Sequence, residues 1–121
     1  GGVAARHPRL RIAFSHGGGA MAMLLPRLAH GWRVLPKAQE ALQESPEVTA
    51  RRFYYDHLVF DAAALRLVIE RFGGSQVLVG SDYPFNMGEA DPVGTLERLR
   101  LDHDTHYAIS AGNARRFLGL K

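Results

Sequence analysis

Val77-Leu78-Val79-Gly80-Ser81-Asp82-Tyr83-Pro84 decides the fold. The run opens continuously apolar with two valines, as a strand buried on both faces of a parallel sheet does; a half-exposed strand would alternate. Asp82-Tyr83-Pro84 is a natural stop, because proline cannot continue a central ladder. The reading is therefore a strand over about residues 76–81 with a carboxylate at its carboxyl end. That end of a parallel strand is where α/β folds place their ligands.

Two further apolar runs precede it. Leu10-Arg11-Ile12-Ala13-Phe14-Ser15 follows Pro8 and ends at His16-Gly17-Gly18-Gly19, which predicts a strand over about residues 9–15; the aromatic Phe53-Tyr54-Tyr55-Asp56 predicts a short one over 53–56. Helical patterns alternate with them. Leu65, Val68, Ile69 and Phe72 fall at i, i+3, i+4 and i+7, behind Asp61 as a cap and before Gly73-Gly74 as a stop. Asp91-Pro92 starts another helix, with Leu96 and Leu99 on one face, and Ser45-Pro46-Glu47 opens a short one. Met21, Leu24, Leu25, Leu28 and Trp32 outline a helix between Gly19 and Arg33, with Pro26 in its first turn or at a kink. A last helix is expected from about Thr105 to Phe117, burying Tyr107, Ile109, Ala114 and Phe117, with Gly112 weakening it by roughly 1 kcal/mol. This order is that of βα units around a parallel sheet, an α/β chain.

Composition bounds the chemistry. The chain has 121 residues, no cysteine, six histidines, and 15 Lys+Arg against 12 Asp+Glu; 46% of it is hydrophobic and 22% charged, which suits one small packed domain rather than a disordered segment. Without cysteine there is no disulfide, no thiolate metal cage and no thiol nucleophile, so metal binding and catalysis fall to His, Asp and Glu. The basic residues are scattered, so no surface for tracking nucleic-acid phosphates is expected. Nothing approaches 18 consecutive apolar residues and no signal segment opens the chain, so it reads as a cytoplasmic protein with no membrane partner. Gly1-Gly2-Val3 opens without a methionine and reads as a start internal to a longer protein.

His16 and Asp82 end two different strands and are expected to face one mouth of the sheet. Asp82 there can bind a metal or orient a water, and read alone it is equally a turn residue. Three consecutive glycines after His16 imply unusual backbone angles or room for a ligand; their spacing matches neither a dinucleotide fingerprint nor a phosphate loop. Arg27 offers a guanidinium suited to a carboxylate, although most arginines are solvated surface charge. His57 could reach the mouth from its loop but fits a structural role, His103 and His106 read as surface residues, and His7 and His30 carry no signal.

Ile12-Ala13-Phe14-Ser15-His16-Gly17-Gly18-Gly19, Leu24-Leu25-Pro26-Arg27, Trp32, Phe53-Tyr54-Tyr55-Asp56, Val79-Gly80-Ser81-Asp82-Tyr83-Pro84-Phe85, Gly88-Glu89 and Gly112-Asn113-Ala114 with Phe117-Leu118-Gly119-Leu120 follow in order. Together they resemble the C-terminal part of the amidohydrolase-related enzymes typified by aminocarboxymuconate-semialdehyde decarboxylase. The resemblance implies a (β/α)8 barrel with a divalent metal, zinc as the expected ion, and makes residues 1–121 its last three βα units. It implies that Asp82 is a metal ligand, that His16 stands beside the metal as acid/base on its bound water, and that Arg27 grips a substrate carboxylate, in some members across a dimer interface. The family's His-x-His pair and its fifth-strand histidine have no counterpart here, so Asp82 and His16 supply at most two groups of a site that normally needs three protein ligands.

The first functional reading is a metal-dependent decarboxylase of an unsaturated or aromatic carboxylic acid, of which this chain is the C-terminal portion; a hydrolase or hydratase on the same scaffold is the close alternative. The second is a non-catalytic truncated fragment, inactive alone, that self-associates through its exposed sheet edges.

Overall fold

A computed structural model describes residues 2–120. In chain order the helices are α1 (Val3–Arg6), α2 (Met21–Val34), α3 (Pro36–Ala41), α4 (Pro46–Ala50), α5 (Ala62–Phe72), α6 (Pro92–Arg98), α7 (His103–Tyr107) and α8 (Asn113–Leu118); the strands are β1 (Ala13–Phe14), β2 (Tyr54–Asp56) and β3 (Val77–Leu78). The strands form one parallel sheet in the order β1-β2-β3, with Phe14 opposite Tyr55 and Tyr55 opposite Val77. The α/β reading and all three parallel strands stand.

The outer strands are shorter than the sequence implies, for local reasons. Before β1, the Leu10 amide turns back to the His7 carbonyl, so pairing starts only where Ile12 O accepts from Tyr54 N at 2.8 Å. After β3, Leu78 O still accepts from His57 N at 3.0 Å, but the Gly80 amide goes to the His57 ring instead of a strand carbonyl.

Residues of α5 and α6 face the middle of the sheet. Leu65, Val68 and Phe72 of α5 are buried against Tyr55 and Val77, with Leu96, Leu99 and Ile109 closing the same core. Each such burial contributes about 1.5–3 kcal/mol. Tyr55 and Phe72 stack with ring centroids 3.8 Å apart, and the Tyr55 hydroxyl donates to Ala50 O at 2.8 Å. Burial pushes the Tyr55 phenol well above its ordinary value.

The anticipated caps form: Asp61 accepts from Ala64 N at 2.7 Å, Asp91 from Gly94 N at 3.0 Å, and Ser45 from Val48 N at 3.3 Å. Gly73 ends α5 at φ 93°, where a side chain would strain the backbone. Of the two places the sequence allows Pro26, the first turn is not the one observed. Pro26 sits in the second turn of α2, beyond the residues whose amides are free anyway, and leaves the Ala22 carbonyl without its helical donor.

The last helical stretch also differs. It starts at His103, where Asp102 accepts from Thr105 N at 2.9 Å, and it contains a π-helical turn over Ala108–Gly112. The wider turn shifts the face presented to the core. Tyr107, expected inside, is 57% exposed, whereas Ile109 and the polar Asn113 are fully buried. Phe117 packs edge-on against Tyr54 at 5.1 Å. At the opposite corner the Trp32 indole donates to Leu42 O at 3.2 Å and joins α2 to the end of α3.

Candidate functional site

The chain leaves β1 through Ser15 and turns at once. His16 has φ 54°, and Gly17, Gly18 and Gly19 have φ 59°, 76° and 61°. Two of these glycines are also forced by contact. A Cβ on Gly17 would lie 2.6 Å from Val59 Cγ1, and one on Gly18 would lie 2.7 Å from Tyr55 Cδ1. The loop is therefore pressed onto the end of β2, and of the two explanations for the glycines the unusual backbone is the one observed.

The chain leaves β3 through Val79 and Gly80 into a long loop. Asp82 has φ 58°, and the Tyr83-Pro84 peptide is cis. Glu89 closes this loop: its amide donates to Ser81 O at 2.9 Å, and its carboxylate accepts from Asp91 N at 2.9 Å and from the Thr95 hydroxyl at 3.1 Å. The Asp91 amide, followed by the Thr95 hydroxyl, holds the Glu89 carboxyl below its ordinary value.

These two loops bring His16 and Asp82 together. His16 Nε2 lies 3.6 Å from Asp82 Oδ2, with side-chain exposures of 57% and 28%. Carboxylate and imidazole are donor types that suit a divalent cation, so the residues present fit an ion held at Asp82 with the His16 ring beside it. Among the described residues, no group of three or more His, Cys, Asp or Glu side chains is placed to hold an ion.

Arg27 is elsewhere. It is exposed on α2 and lines an apolar cavity of about 820 Å³ with Phe14, Trp32, Phe53 and Tyr55, a cavity that neither His16 nor Asp82 lines. No hydrogen bond or ion pair engages its guanidinium among the described residues.

His57 does not open onto the mouth. It is 2% exposed; its Nδ1 accepts from Gly80 N at 3.2 Å and its Nε2 donates to Pro92 O at 2.8 Å. Those partners assign the neutral tautomer protonated at Nε2. Beside it on β2, Asp56 Oδ1 accepts from both Gly17 N and Leu58 N at 3.1 Å. Asp56 and Glu89 thus organise the two loops, although sequence reasoning gave neither a role; each does so through backbone amides that only the folded chain brings near. His103 is exposed beside Asp104, while His106, expected at the surface, is half-buried with its Nε2 shut from solvent.

Among the described residues no helix is long and apolar enough to cross a membrane. The chain is 34% identical over 122 residues to the 2-amino-3-carboxymuconate-6-semialdehyde decarboxylase of Dictyostelium discoideum, covering 99% of this chain and 34% of that protein. It superposes on the crystal structure of 5-carboxyvanillate decarboxylase from Sphingomonas paucimobilis with a TM-score of 0.83 and 29% identity, over 99% of this chain and 37% of that one. A dihydroxybenzoic acid decarboxylase from Polaromonas sp. JS666, crystallised with manganese, shares the fold at a TM-score of 0.82 and 19% identity over 98% of this chain and 36% of that one. The chain therefore spans about a third of the length of the proteins it matches, and its three βα units correspond to part of their barrel. The sequence profile of the amidohydrolase family matches residues 1–120, and with the sequence relatives and the superposed folds in agreement, the chain belongs to that family.

Proposed function

We propose that this chain is the C-terminal portion of a divalent-metal-dependent decarboxylase of an unsaturated or aromatic carboxylic acid. The observation that carries the reading is the 3.6 Å approach of His16 to Asp82 at the carboxyl ends of two parallel strands, supported by the decarboxylase names of the relatives. Asp82 is the metal ligand, and the bound ion would supply Lewis-acid polarisation and neutralise developing charge. Zinc and manganese both suit such a donor set.

His16 Nε2 is the proton carrier. Loss of CO2 breaks a carbon–carbon bond and leaves its electron pair on the carbon that stays behind, which must take a proton; an exposed imidazole beside the site is suited to deliver it. Arg27 binds a substrate carboxylate through its planar fork. Arg27 lines a cavity that neither His16 nor Asp82 lines, which favours a carboxylate in the site of a second copy in a homodimer. Hydrolysis on the same scaffold is the second reading, favoured by the family to which the chain belongs.

The test is to supply the full-length protein with Mn2+ or Zn2+, offer hydroxylated aromatic carboxylic acids, and measure CO2 release. Turnover that is lost in Asp82→Asn and His16→Ala supports decarboxylation. Hydrolysis of an amide or lactone without CO2 release would replace it with the second reading.

A further inference from the structure

We propose that Asp56 and His57, adjacent residues at the end of β2, are positioning residues that set the separation of His16 and Asp82. Asp56 grips the loop after β1, and His57 grips both ends of the loop after β3. The inference rests on the reading of His16 and Asp82 as the reactive pair, and it concerns what holds them.

Successive side chains of a strand leave on opposite faces, so one strand end can serve two loops. Asp56 Oδ1 receives the Gly17 amide, which belongs to the peptide joining His16 to Gly17. The loop is also packed closely there, since Gly17 lies against Val59 and Val68 with no room for a Cβ. His57 receives the Gly80 amide at one ring nitrogen and donates to the Pro92 carbonyl from the other. Gly80 and Pro92 are the two ends of the excursion that carries Asp82, so a single buried ring closes it like a clasp. Gly80 in turn lies against Asp56, where a Cβ would stand 3.0 Å from Asp56 Cβ.

His16 and Asp82 need such support. Both are open to solvent on one side, and both hold positive φ, which residues other than glycine keep only where their surroundings over-determine it. Their separation follows from where the two backbones are pinned: Asp56 holds the first, and His57 holds the ends of the second, inside which Glu89 ties Ser81 to Asp91.

The experiment uses the full-length protein and reads two quantities: amide hydrogen exchange at Gly17 and Gly80, and the affinity for Mn2+ measured from the free ion. Asp56→Ala is expected to speed exchange at Gly17 by about tenfold and leave Gly80 unchanged, and His57→Phe to do the reverse. Each is expected to weaken Mn2+ binding about 10–100-fold, the usual effect of removing a group that orients a ligand. Asp56→Asn and His57→Asn, which keep an acceptor near the same place, are expected to recover most of the loss. Should His57→Phe fail to fold, His57→Asn and His57→Gln carry the test, and equal exchange at Gly80 in both overturns the proposal. Faster exchange with parental Mn2+ affinity, while Asp82→Asn abolishes binding, also overturns the positioning role and leaves the metal reading intact. If Asp82→Asn itself keeps parental affinity, the metal reading fails instead; unchanged exchange at Gly17 and Gly80 then overturns the positioning proposal on its own.

Discussion

The side-chain amide of Asn113 donates to the carbonyl of Val77 at 2.6 Å, and the same nitrogen reaches Gly74 O at 2.7 Å. The last helix is thereby fastened to the strand that leads to Asp82. Asn113→Ala leaves carbonyls at the foot of β3 without their donor inside the core, and is expected to destabilise the protein by about 2 kcal/mol. Asn113→Asp is expected to cost more, since it turns an acceptor toward two carbonyls. Urea unfolding of both variants checks the order; equal midpoints with the parent would contradict it.

The glycine triplet separates contact from conformation. Gly18→Ala meets the Tyr55 ring and must also hold a positive φ, whereas Gly19→Ala enters open space and meets the backbone cost alone. Gly19→Ala is expected to destabilise by about 1–3 kcal/mol, and Gly18→Ala by clearly more. Thermal unfolding of the pair decides this, and a larger loss at Gly19 would be the contrary result.

Acid is expected to loosen the loop after β3, the α3–α4 connection and the start of α7 before the core. Glu89 and Asp102 have lowered carboxyl pKa values, each from a backbone amide first, and Glu44 is lowered mainly by its bond to Arg52. A carboxyl lowered in the folded state contributes stability that is complete above its ordinary value and is lost as pH falls through the folded one. The window therefore opens as pH falls below the ordinary carboxyl range of these three groups. Glu89→Gln is expected to lower stability at neutral pH, where the carboxylate contributes in full, and to converge on the parent in acid, so that the acid limb of its stability–pH curve is flatter; equal neutral stability with an unchanged acid limb would contradict this.

At Arg27 the expected signature is kinetic. Arg27→Lys keeps the charge and loses the two-bond fork, so KM should rise several-fold while bound metal stays constant. Metal analysis beside steady-state kinetics on the full-length protein checks both halves, and unchanged KM would make Arg27 ordinary surface charge.

Periodicity made the architecture legible. The apolar run ending at Ser81 announces a doubly buried strand, and Asp61, Asp91 and Ser45 mark helix starts that the structure places at those residues. The approach of His16 to Asp82 was legible for the same reason, since both end strands of one parallel sheet. The π turn after Tyr107 was not, because it alters which face points inward without altering any residue type. The structural role of His57 was legible but its partners were not, and Asp56 was hidden altogether: Gly17, Gly80 and Pro92 act through backbone atoms that leave no trace in side-chain chemistry.

Trp32 is the single tryptophan of the chain, and its indole is committed to the Leu42 carbonyl at the α2–α3 corner. Within these residues, tryptophan fluorescence is therefore a local optical gauge of that corner and of the cavity that Trp32 lines with Arg27. A molecule entering the cavity should shift the emission. An ion held at Asp82 beside His16 should leave it unchanged, so a single titration watched at the Trp32 emission separates occupancy of the two places.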